Sequence, residues 1–230
     1  MKKTEEEIKK LEIASKIADD CFKYICDNIK VGMTEIEVAQ MMDQFMLENG
    51  AEALSFETIV GSGINSAQIH STPTDKKIEN GDIVLLDFGC KYQGYCSDIS
   101  RTIFMEKITE EQKNIYDLVL EAQLVATEKI SEGMLACDAD SLARDVIKNK
   151  GYDFAHALGH GVGTEVHESP VISPKNDKDI LENNMVFTIE PGIYLENKFG
   201  VRIEDTVVLE NGRVRTLNKV TKDIIIIKGE

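Results

Sequence analysis

The stretch Ile83-Val-Leu-Leu-Asp87-Phe-Gly89 recurs in outline later in the chain as Met185-Val-Phe-Thr-Ile-Glu190-Pro-Gly192. In both, an apolar run of strand length ends on a carboxylate, and a glycine follows two residues later. Short apolar runs bounded by turn residues are typical of buried strands. A hairpin-like segment with a second carboxylate follows each run, since Asp98 comes eleven residues after Asp87 and Glu204 fourteen after Glu190. The repetition predicts two similar halves.

The segments upstream of these strands repeat as well. Ile29-x-x-Gly32-Met33 precedes a helix that ends at Gly50, and Ile130-x-x-Gly133-Met134 precedes one that ends at Gly151. Apolar spacing and capping residues predict helices over 5–29, from Thr34 to about Asn49, from Thr109 to about Ile130, and from Asp138 or Asp140 to Lys150. Alternating or apolar runs predict strands over 54–60, 83–88, 92–96, 99–104, 185–189, 201–209 and 214–217. The strands 92–96 and 99–104 are expected to form a hairpin-like pair, and Asn211-Gly212 a tight turn. The fold class is therefore α+β, with two halves related by a pseudo-twofold axis.

Histidine is concentrated in one part of the chain. Three of the four histidines lie in His156-Ala-Leu-Gly-His160-Gly-Val-Gly-Thr-Glu-Val-His167. Imidazole suits metal binding and proton transfer near neutral pH. The glycines at 159, 161 and 163 lack the Cβ atoms that would keep a substrate away from the backbone. This stretch is interpreted as part of an active site.

Pseudo-twofold symmetry would bring the four strand-end carboxylates to one seam, where they require neutralisation. At about 4 Å, two like charges repel by roughly 4 kcal/mol at an effective dielectric near 20. Two divalent ions balance four carboxylates and a neutral imidazole, and a hydroxide held between them could attack a carbonyl. The residues predict peptide or amide hydrolysis. Oxygen ligands with one imidazole favour Mn²⁺, Co²⁺, Fe²⁺ or Zn²⁺. The expected ligands are Asp87, Asp98, His160, Glu190 and Glu204.

Composition excludes several other classes of function. The 230 residues carry 26 basic and 41 acidic side chains, a net charge of −15 that disfavours nucleic acid as a partner. No apolar run reaches the roughly 18 residues of a membrane helix, so no membrane partner is expected. The five cysteines form no C-x-x-C pair, which indicates reduced thiols and a cytoplasmic protein.

The chain resembles the pita-bread metallopeptidases, peptidase family M24, which include methionine aminopeptidase, aminopeptidase P and prolidase. The resemblance runs from about Lys9 to Thr216. Its motifs are Asp87-Phe-Gly, Gly94-Tyr-Cys-Ser-Asp98-Ile-Ser-Arg101-Thr102, the stretch from His156 to Pro170, Thr188-Ile-Glu190-Pro-Gly-Ile-Tyr194, and Gly200-Val-Arg-Ile-Glu204-Asp. It implies a pita-bread fold, with the two halves around a curved antiparallel sheet. It also implies that Asp87 chelates one metal, that His160 and Glu190 hold the other, and that Asp98 and Glu204 bridge them.

Residues around the ligands favour the proline-directed branch. Methionine aminopeptidases usually lack a histidine four residues before the metal histidine, whereas this chain has His156, and it has Gly192-Ile-Tyr194 where they carry Met. The resemblance implies hydrolysis of the bond before proline in Xaa-Pro dipeptides or N-terminal Xaa-Pro peptides, with two ions per chain. Mn²⁺ or Co²⁺ is favoured, and Zn²⁺ or Fe²⁺ is the alternative.

The same resemblance assigns roles to residues beyond the metal ligands. His70 and His167 act in substrate binding and proton transfer, His156 and Arg202 line the pocket, and Glu190 is the general acid and base. Small peptides with proline second are the expected partners, and a homodimer is compatible with the family.

Several alternatives stay open from the sequence. A lone carboxylate at a strand end is more often a turn acceptor than a ligand, and His70 could be an ordinary loop histidine. Methionine aminopeptidase, metal-free creatinase-like hydrolases and non-catalytic pita-bread modules share the outline. Prolidases and aminopeptidases P usually carry an N-terminal domain, so residues 1–230 are expected to form a single catalytic domain without it.

Overall fold

The computed structural model describes residues 2–229, which contain four α-helices. These are α1 (Glu5–Asn28), α2 (Glu35–Glu48), α3 (Glu110–Lys129) and α4 (Ala136–Lys148). Helices α1, α2 and α3 each begin with a capping box, in which a threonine and a residue three positions later cap each other's backbone N–H; the pairs are Thr4–Glu7, Thr34–Glu37 and Thr109–Gln112. The two capping boxes predicted at Thr34 and Thr109 are confirmed.

Helix α4 begins earlier than the sequence predicted. Its N-cap is Leu135, which makes no side-chain cap, so neither Asp138 nor Asp140 opens the helix. Asp140 is fully buried inside α4, where it pairs with Arg144 one turn later. The prediction was wrong because an aspartate near a helix start is a capping signal only when its partner is the backbone.

Fourteen strands occur among the described residues. They are β1 (Ala53–Leu54), β2 (Ile59–Ser62), β3 (Ile83–Phe88), β4 (Cys90–Tyr92), β5 (Tyr95–Cys96), β6 (Ile99–Met105), β7 (Gly159–Gly161), β8 (Glu168–Ile172), β9 (Val186–Ile189), β10 (Gly192–Leu195), β11 (Phe199–Arg202), β12 (Asp205–Glu210), β13 (Arg213–Thr216) and β14 (Ile226–Ile227). One sheet has the order β14-β6-β3-β2 and another the order β13-β12-β9-β7-β8. Apart from the parallel β14–β6 pair, their strand pairs are antiparallel.

Three strand predictions need correction. The segment 92–96 does not form a hairpin with 99–104: β5 pairs with β4, and β6 pairs with β3. The run 201–209 is two strands, β11 and β12, separated by Ile203 and Glu204, and the run 54–60 is likewise interrupted. The runs 54–60 and 201–209 continue through points where the pairing partner changes, whereas 92–96 contains the turn at Gln93 and Gly94 that joins β4 to β5. Only the pairing partner defines these strand ends.

The predicted repeat is present in the hydrogen bonding of the two halves. Gly32 N donates to Ile78 O and Gly133 N donates to Leu181 O, both at 2.8 Å. The reverse bonds, from Ile78 to Met33 and from Leu181 to Met134, are also both 2.8 Å long. The same glycine and methionine therefore attach each helix pair to the following segment in the same way.

Each half packs its two helices against its own sheet. In the first half, Val84, Leu86 and Phe88 of β3 pack with α1 and α2. Since side chains alternate along a strand, Asp87 points to the opposite face. In the second half, α3 and α4 cover β9, β11 and β12. The helices thus occupy the outer faces, and the carboxylates project inward.

Within residues 2–229 no helix has the combination of length and apolar character that crossing a membrane requires.

Candidate metal centre

All five predicted ligands line one cavity of about 480 Å³. Two come from the first half: Asp87 lies on β3 and Asp98 directly precedes β6. The other three come from the second half, with His160 in the middle of β7, Glu190 directly after β9, and Glu204 between β11 and β12.

The side chains of this cluster are close enough to share ions. Single ligand atoms of Asp98, His160 and Glu204 all lie within 4.8 Å of one another. His160 Nε2 lies 3.3 Å from Glu190 Oε1 and 3.6 Å from Asp98 Oδ2. This geometry places an imidazole against carboxylates from both halves.

One oxygen of Asp87 bears on whether the residues present fit a metal ion. Asp87 Oδ2 accepts a hydrogen bond from Arg202, while Oδ1 is buried and has no hydrogen-bond partner among residues 2–229. A buried carboxylate oxygen without a partner is costly, because it has lost its water and gained nothing in exchange. Four carboxylates and one imidazole are also the donor set that divalent ions such as Mn²⁺ or Co²⁺ accept. The residues present therefore fit a metal centre.

The electrostatics of the cluster agree with that reading. Burial, followed by the charge of Glu204, raises the pKa of Asp98 well above its ordinary value. Burial and the charge of Glu190 do the same to the pKa of Glu204. Burial alone would raise the pKa of Glu190, but the hydrogen bond and charge of His160, together with the charges of His156 and Arg202, lower that pKa. Protons must compensate the carboxylates wherever cations do not.

Arg202 connects ligands from the two halves. Its side chain is 2% exposed, and Nη2 contacts Asp87 Oδ2. Its Nε donates to Ser100 Oγ at 2.8 Å, and Ser100 Oγ donates to Glu204 Oε2 at 2.6 Å. Nη1 donates to Tyr194 Oη at 2.8 Å and to Ile69 O at 3.3 Å. The guanidinium thus fixes the orientation of two predicted ligands.

The other predicted histidines also line the cavity. His156 Nε2 lies 3.0 Å from Tyr194 Oη, and burial lowers the pKa of His156. The ring of His167 lies 4.2 Å from that of His160, centroid to centroid. His70 lies in residues 68–76, a segment without helix or regular strand, and it lines the same cavity.

Three polar residues at the centre received no role from the sequence. Thr188 Oγ1 donates to Glu190 Oε1 at 3.0 Å and accepts from His160 N at 3.1 Å. Ser100 and Tyr194 make the contacts already described. Thr188 lies two residues before Glu190 and Ser100 two residues after Asp98, so alternation along the strand was the signal that could have placed them beside those ligands.

The glycines at 159, 161 and 163 do not have the structural role that the sequence suggested. A Cβ on Gly159 would lie 1.9 Å from Thr188 O, and one on Gly161 would lie 2.4 Å from Ser169 O. A Cβ on Gly163 would meet the side chains of Glu168 and Lys3. The missing side chains make room for neighbouring chain segments of the protein, and the expectation that they admit substrate is corrected.

A pita-bread fold with a carboxylate-rich centre between its halves defines the class of this protein. The chain belongs to metallopeptidase family M24, whose family model matches residues 9–211. The resemblance found in the sequence is confirmed.

Known relatives are similar along almost the whole chain. It is 46% identical over 225 residues to the Xaa-Pro dipeptidase of Pyrococcus furiosus, covering 97% of this chain and 64% of that protein. It is 47% identical over 227 residues to an uncharacterised peptidase of Bacillus subtilis, covering 98% and 64%. The crystal structure of an X-Pro aminopeptidase from Thermotoga maritima superposes with a TM-score of 0.95 at 44% identity, covering 99% of this chain and 65% of that one. The chain thus spans about two thirds of the length of these relatives.

Proposed function

We propose that this chain forms the active site of a dinuclear metal-dependent peptidase that cleaves the bond before proline in Xaa-Pro dipeptides or N-terminal Xaa-Pro peptides. The observation that carries the proposal is the convergence of Asp87, Asp98, His160, Glu190 and Glu204 on one cavity. The names of the relatives, an Xaa-Pro dipeptidase and an X-Pro aminopeptidase, support the proline preference. Small peptides are the expected substrates.

These five residues would hold two divalent ions, for which Mn²⁺ or Co²⁺ is proposed and Zn²⁺ or Fe²⁺ is the alternative. When bound, such ions lower the pKa of water and stabilise negative charge on a carbonyl oxygen. The unpartnered Oδ1 of Asp87 supports a ligand role for that residue.

Proton transfer is assigned to Glu190. Its Oε1 receives a hydrogen bond from Thr188 Oγ1 and faces His160 Nε2, so the carboxylate is held in one orientation. A carboxylate held in one orientation can accept a proton from water and deliver it to the departing proline nitrogen.

Substrate binding is assigned to the cavity wall. His70 and His167 can each offer a ring N–H to a peptide carbonyl oxygen, and both line the cavity together with His156. Phe56, Ile59 and Ile69 add apolar surface to the same wall, which suits the hydrocarbon ring of proline. Arg202 would act by orienting Asp87 and Tyr194.

A substrate panel tests this function directly. Xaa-Pro dipeptides and Xaa-Pro-initiated peptides are compared with Met-Ala peptides, in the presence of Mn²⁺, Co²⁺ or Zn²⁺. Faster cleavage of the Xaa-Pro series is expected. Faster cleavage of the Met series would instead identify a methionine aminopeptidase.

Metal content provides a separate test on protein purified without chelators. About two ions per chain are expected, and fewer than about one ion that added Mn²⁺ or Co²⁺ does not restore would exclude a dinuclear centre. The variants Asp98→Ala and His160→Ala should lose activity with unchanged circular dichroism.

We also propose that the protein acts in the cytoplasm. All five cysteines are free, and Cys21, Cys90 and Cys96 are buried. Free thiols are typical of proteins in reducing compartments.

A further inference from the structure

Glu35, the first residue of α2, is a buried carboxylate that binds three residues from two separate segments of the first half. Its side chain is 0% exposed. Oε1 accepts from Ser62 N at 2.7 Å and Ser62 Oγ at 2.8 Å. Oε2 accepts from Thr74 N at 3.0 Å and Thr74 Oγ1 at 2.6 Å. Asn65 Nδ2 lies 3.1 Å from both oxygens.

One of these segments forms a wall of the substrate cavity. Residues 68–76 contain no helix or regular strand, and residues 69–73 line the cavity with His70 among them. Just beyond this wall, Thr74 is held by the carboxylate of Glu35. The first amides of α2 attach the same segment, since Glu35 N donates to Lys76 O at 3.1 Å and Ile36 N donates to Thr74 O at 3.3 Å.

The second half provides an internal comparison. In the repeat, Ala136 occupies the position of Glu35, at the start of α4. Ala136 N donates to Asp179 O at 2.9 Å and Cys137 N donates to Asn176 O at 3.0 Å, so the backbone attachment is the same. Among the described residues, the cavity wall includes 69–73 but none of 173–181. The carboxylate is therefore not needed to attach such a segment to its helix.

We propose that Glu35 is a positioning residue that fixes the 69–73 wall, and with it His70, for substrate binding. The extra contacts of Glu35 occur in the half whose segment carries a site residue, and they act on the segment's backbone as well as its side chains. A carboxylate at a helix N-terminus is also favoured by the helix dipole, so the buried charge is tolerated there. The kinetic consequence rests on the proposed function, whereas the structural one does not.

The variant Glu35→Gln tests the proposal with little change in side-chain volume. Its NH₂ group would face the donors of either Ser62 or Thr74, so one backbone N–H loses its acceptor. We expect KM for an Xaa-Pro dipeptide to rise roughly tenfold while kcat changes less than about threefold. Amide hydrogen exchange should accelerate in residues 69–76, and the metal content should stay that of the unaltered chain.

Glu37→Gln is the matched control. Glu37 lies on the same first turn, carries the same charge and caps Thr34, but no hydrogen bond or ion pair joins its side chain to residues 69–76. KM and exchange in 69–76 should be unchanged in this variant.

Thr74→Val serves if Glu35→Gln does not fold. It removes one hydroxyl donor to Glu35 and keeps the hydrogen bond from the backbone N–H. KM and amide exchange in 69–76 should therefore rise as in Glu35→Gln, but by less. A folded variant of either kind with unchanged KM and unchanged exchange in 69–76 overturns the proposal. A fall in kcat alone, with lower stability and the original KM, also overturns it by indicating a purely structural role. If the unaltered chain does not cleave Xaa-Pro peptides, the exchange measurement still decides the role of Glu35.

Discussion

At the residue scale, the centre concentrates negative charge on largely buried side chains. Glu204 is 1% exposed, and other carboxylates surround it. A carboxyl group whose pKa is raised by folding stabilises the fold below its unfolded pKa and loses that contribution as pH rises through the folded value. Near neutral pH the metal-free protein therefore carries a penalty that bound cations would remove.

The variant Glu204→Gln should therefore stabilise the metal-free protein. One buried negative charge is removed, so at about pH 8 the melting temperature in chelator should rise by several degrees. The same variant should bind less metal and lose activity. Glu210→Gln, at the partly exposed C-terminal end of β12, is the control and should not raise the melting temperature. A lower melting temperature for Glu204→Gln would contradict this account.

A second residue-scale prediction concerns the ion pair between Lys3 and Glu168. Lys3 Nζ lies 2.6 Å from Glu168 Oε2, and both side chains are largely buried. Burial alone would raise the pKa of Glu168, but the hydrogen bond and charge of Lys3, together with backbone hydrogen bonds from Glu165 and Thr164, lower that pKa. The pair thus stabilises the fold above the unfolded pKa of glutamate and loses this contribution as pH falls through the folded value.

Glu168→Gln should accordingly destabilise the protein at about pH 7 and have a shrinking effect below about pH 4. Urea unfolding at a series of pH values measures the difference in free energy of unfolding between the variant and the unaltered protein. If the loss of stability in Glu168→Gln grew as pH fell, the result would contradict this account of the ion pair.

At the element scale, Arg101 joins β6 to two other parts of the chain. The side chain is 1% exposed, and each of its five N–H groups has an acceptor. Nη1 donates to the carbonyls of Ser100 and Glu204, and Nη2 to Asp205 Oδ1 and Val220 O. Nε donates to Thr221 O at 3.1 Å. The arginine therefore holds the Glu204 loop and the C-terminal segment against β6.

Arg101→Met should destabilise the fold by about 3 kcal/mol or more, because Asp205 is left buried with one fewer cation. Arg215→Met is the control. Arg215 pairs with Glu12 and Glu210, but its side chain is 37% exposed, so its loss should cost less than about 1 kcal/mol. Equal losses in urea unfolding would show that burial does not determine the contribution of these arginines.

At the scale of the whole molecule, the centre exists only where the halves meet. Asp87 and Asp98 come from the first half, and His160, Glu190 and Glu204 from the second. Hydrogen bonds already join the two halves here, since Glu204 N donates to Ser100 O at 3.1 Å and Thr102 Oγ1 donates to Arg202 O at 2.9 Å. Ions bound there would be held by ligands from both halves at once.

Metal should therefore stabilise the molecule as a unit. An ion at about 100 times its dissociation constant contributes roughly 2.7 kcal/mol to folding. Thermal unfolding followed with increasing Mn²⁺ should show one transition that moves upward, and chelator should reverse it. Two transitions, of which only one responds to metal, would show that the halves unfold independently.

Local signals in the sequence determined the existence of the four helices, two of their capping boxes and the carboxylates at the ends of two buried strands. The capping boxes at Thr34 and Thr109 needed only neighbouring residues, and the repeated strand-end carboxylates needed only the chain's own repetition. The family resemblance then supplied the ligand roles. These features are readable because helix caps and residue alternation depend on contacts within a few positions.

Tertiary structure alone decided which strands pair and why particular residues stand beside the ligands. The sequence did not predict β7 in the glycine-rich stretch, the pairing of β6 with β3, or the break at Ile203 and Glu204. It also gave Glu35 no role, although Ser62 and Thr74 converge on it from 27 and 39 positions away. Such contacts depend on which distant segments pack against each other, and local residue periodicity does not specify that pairing.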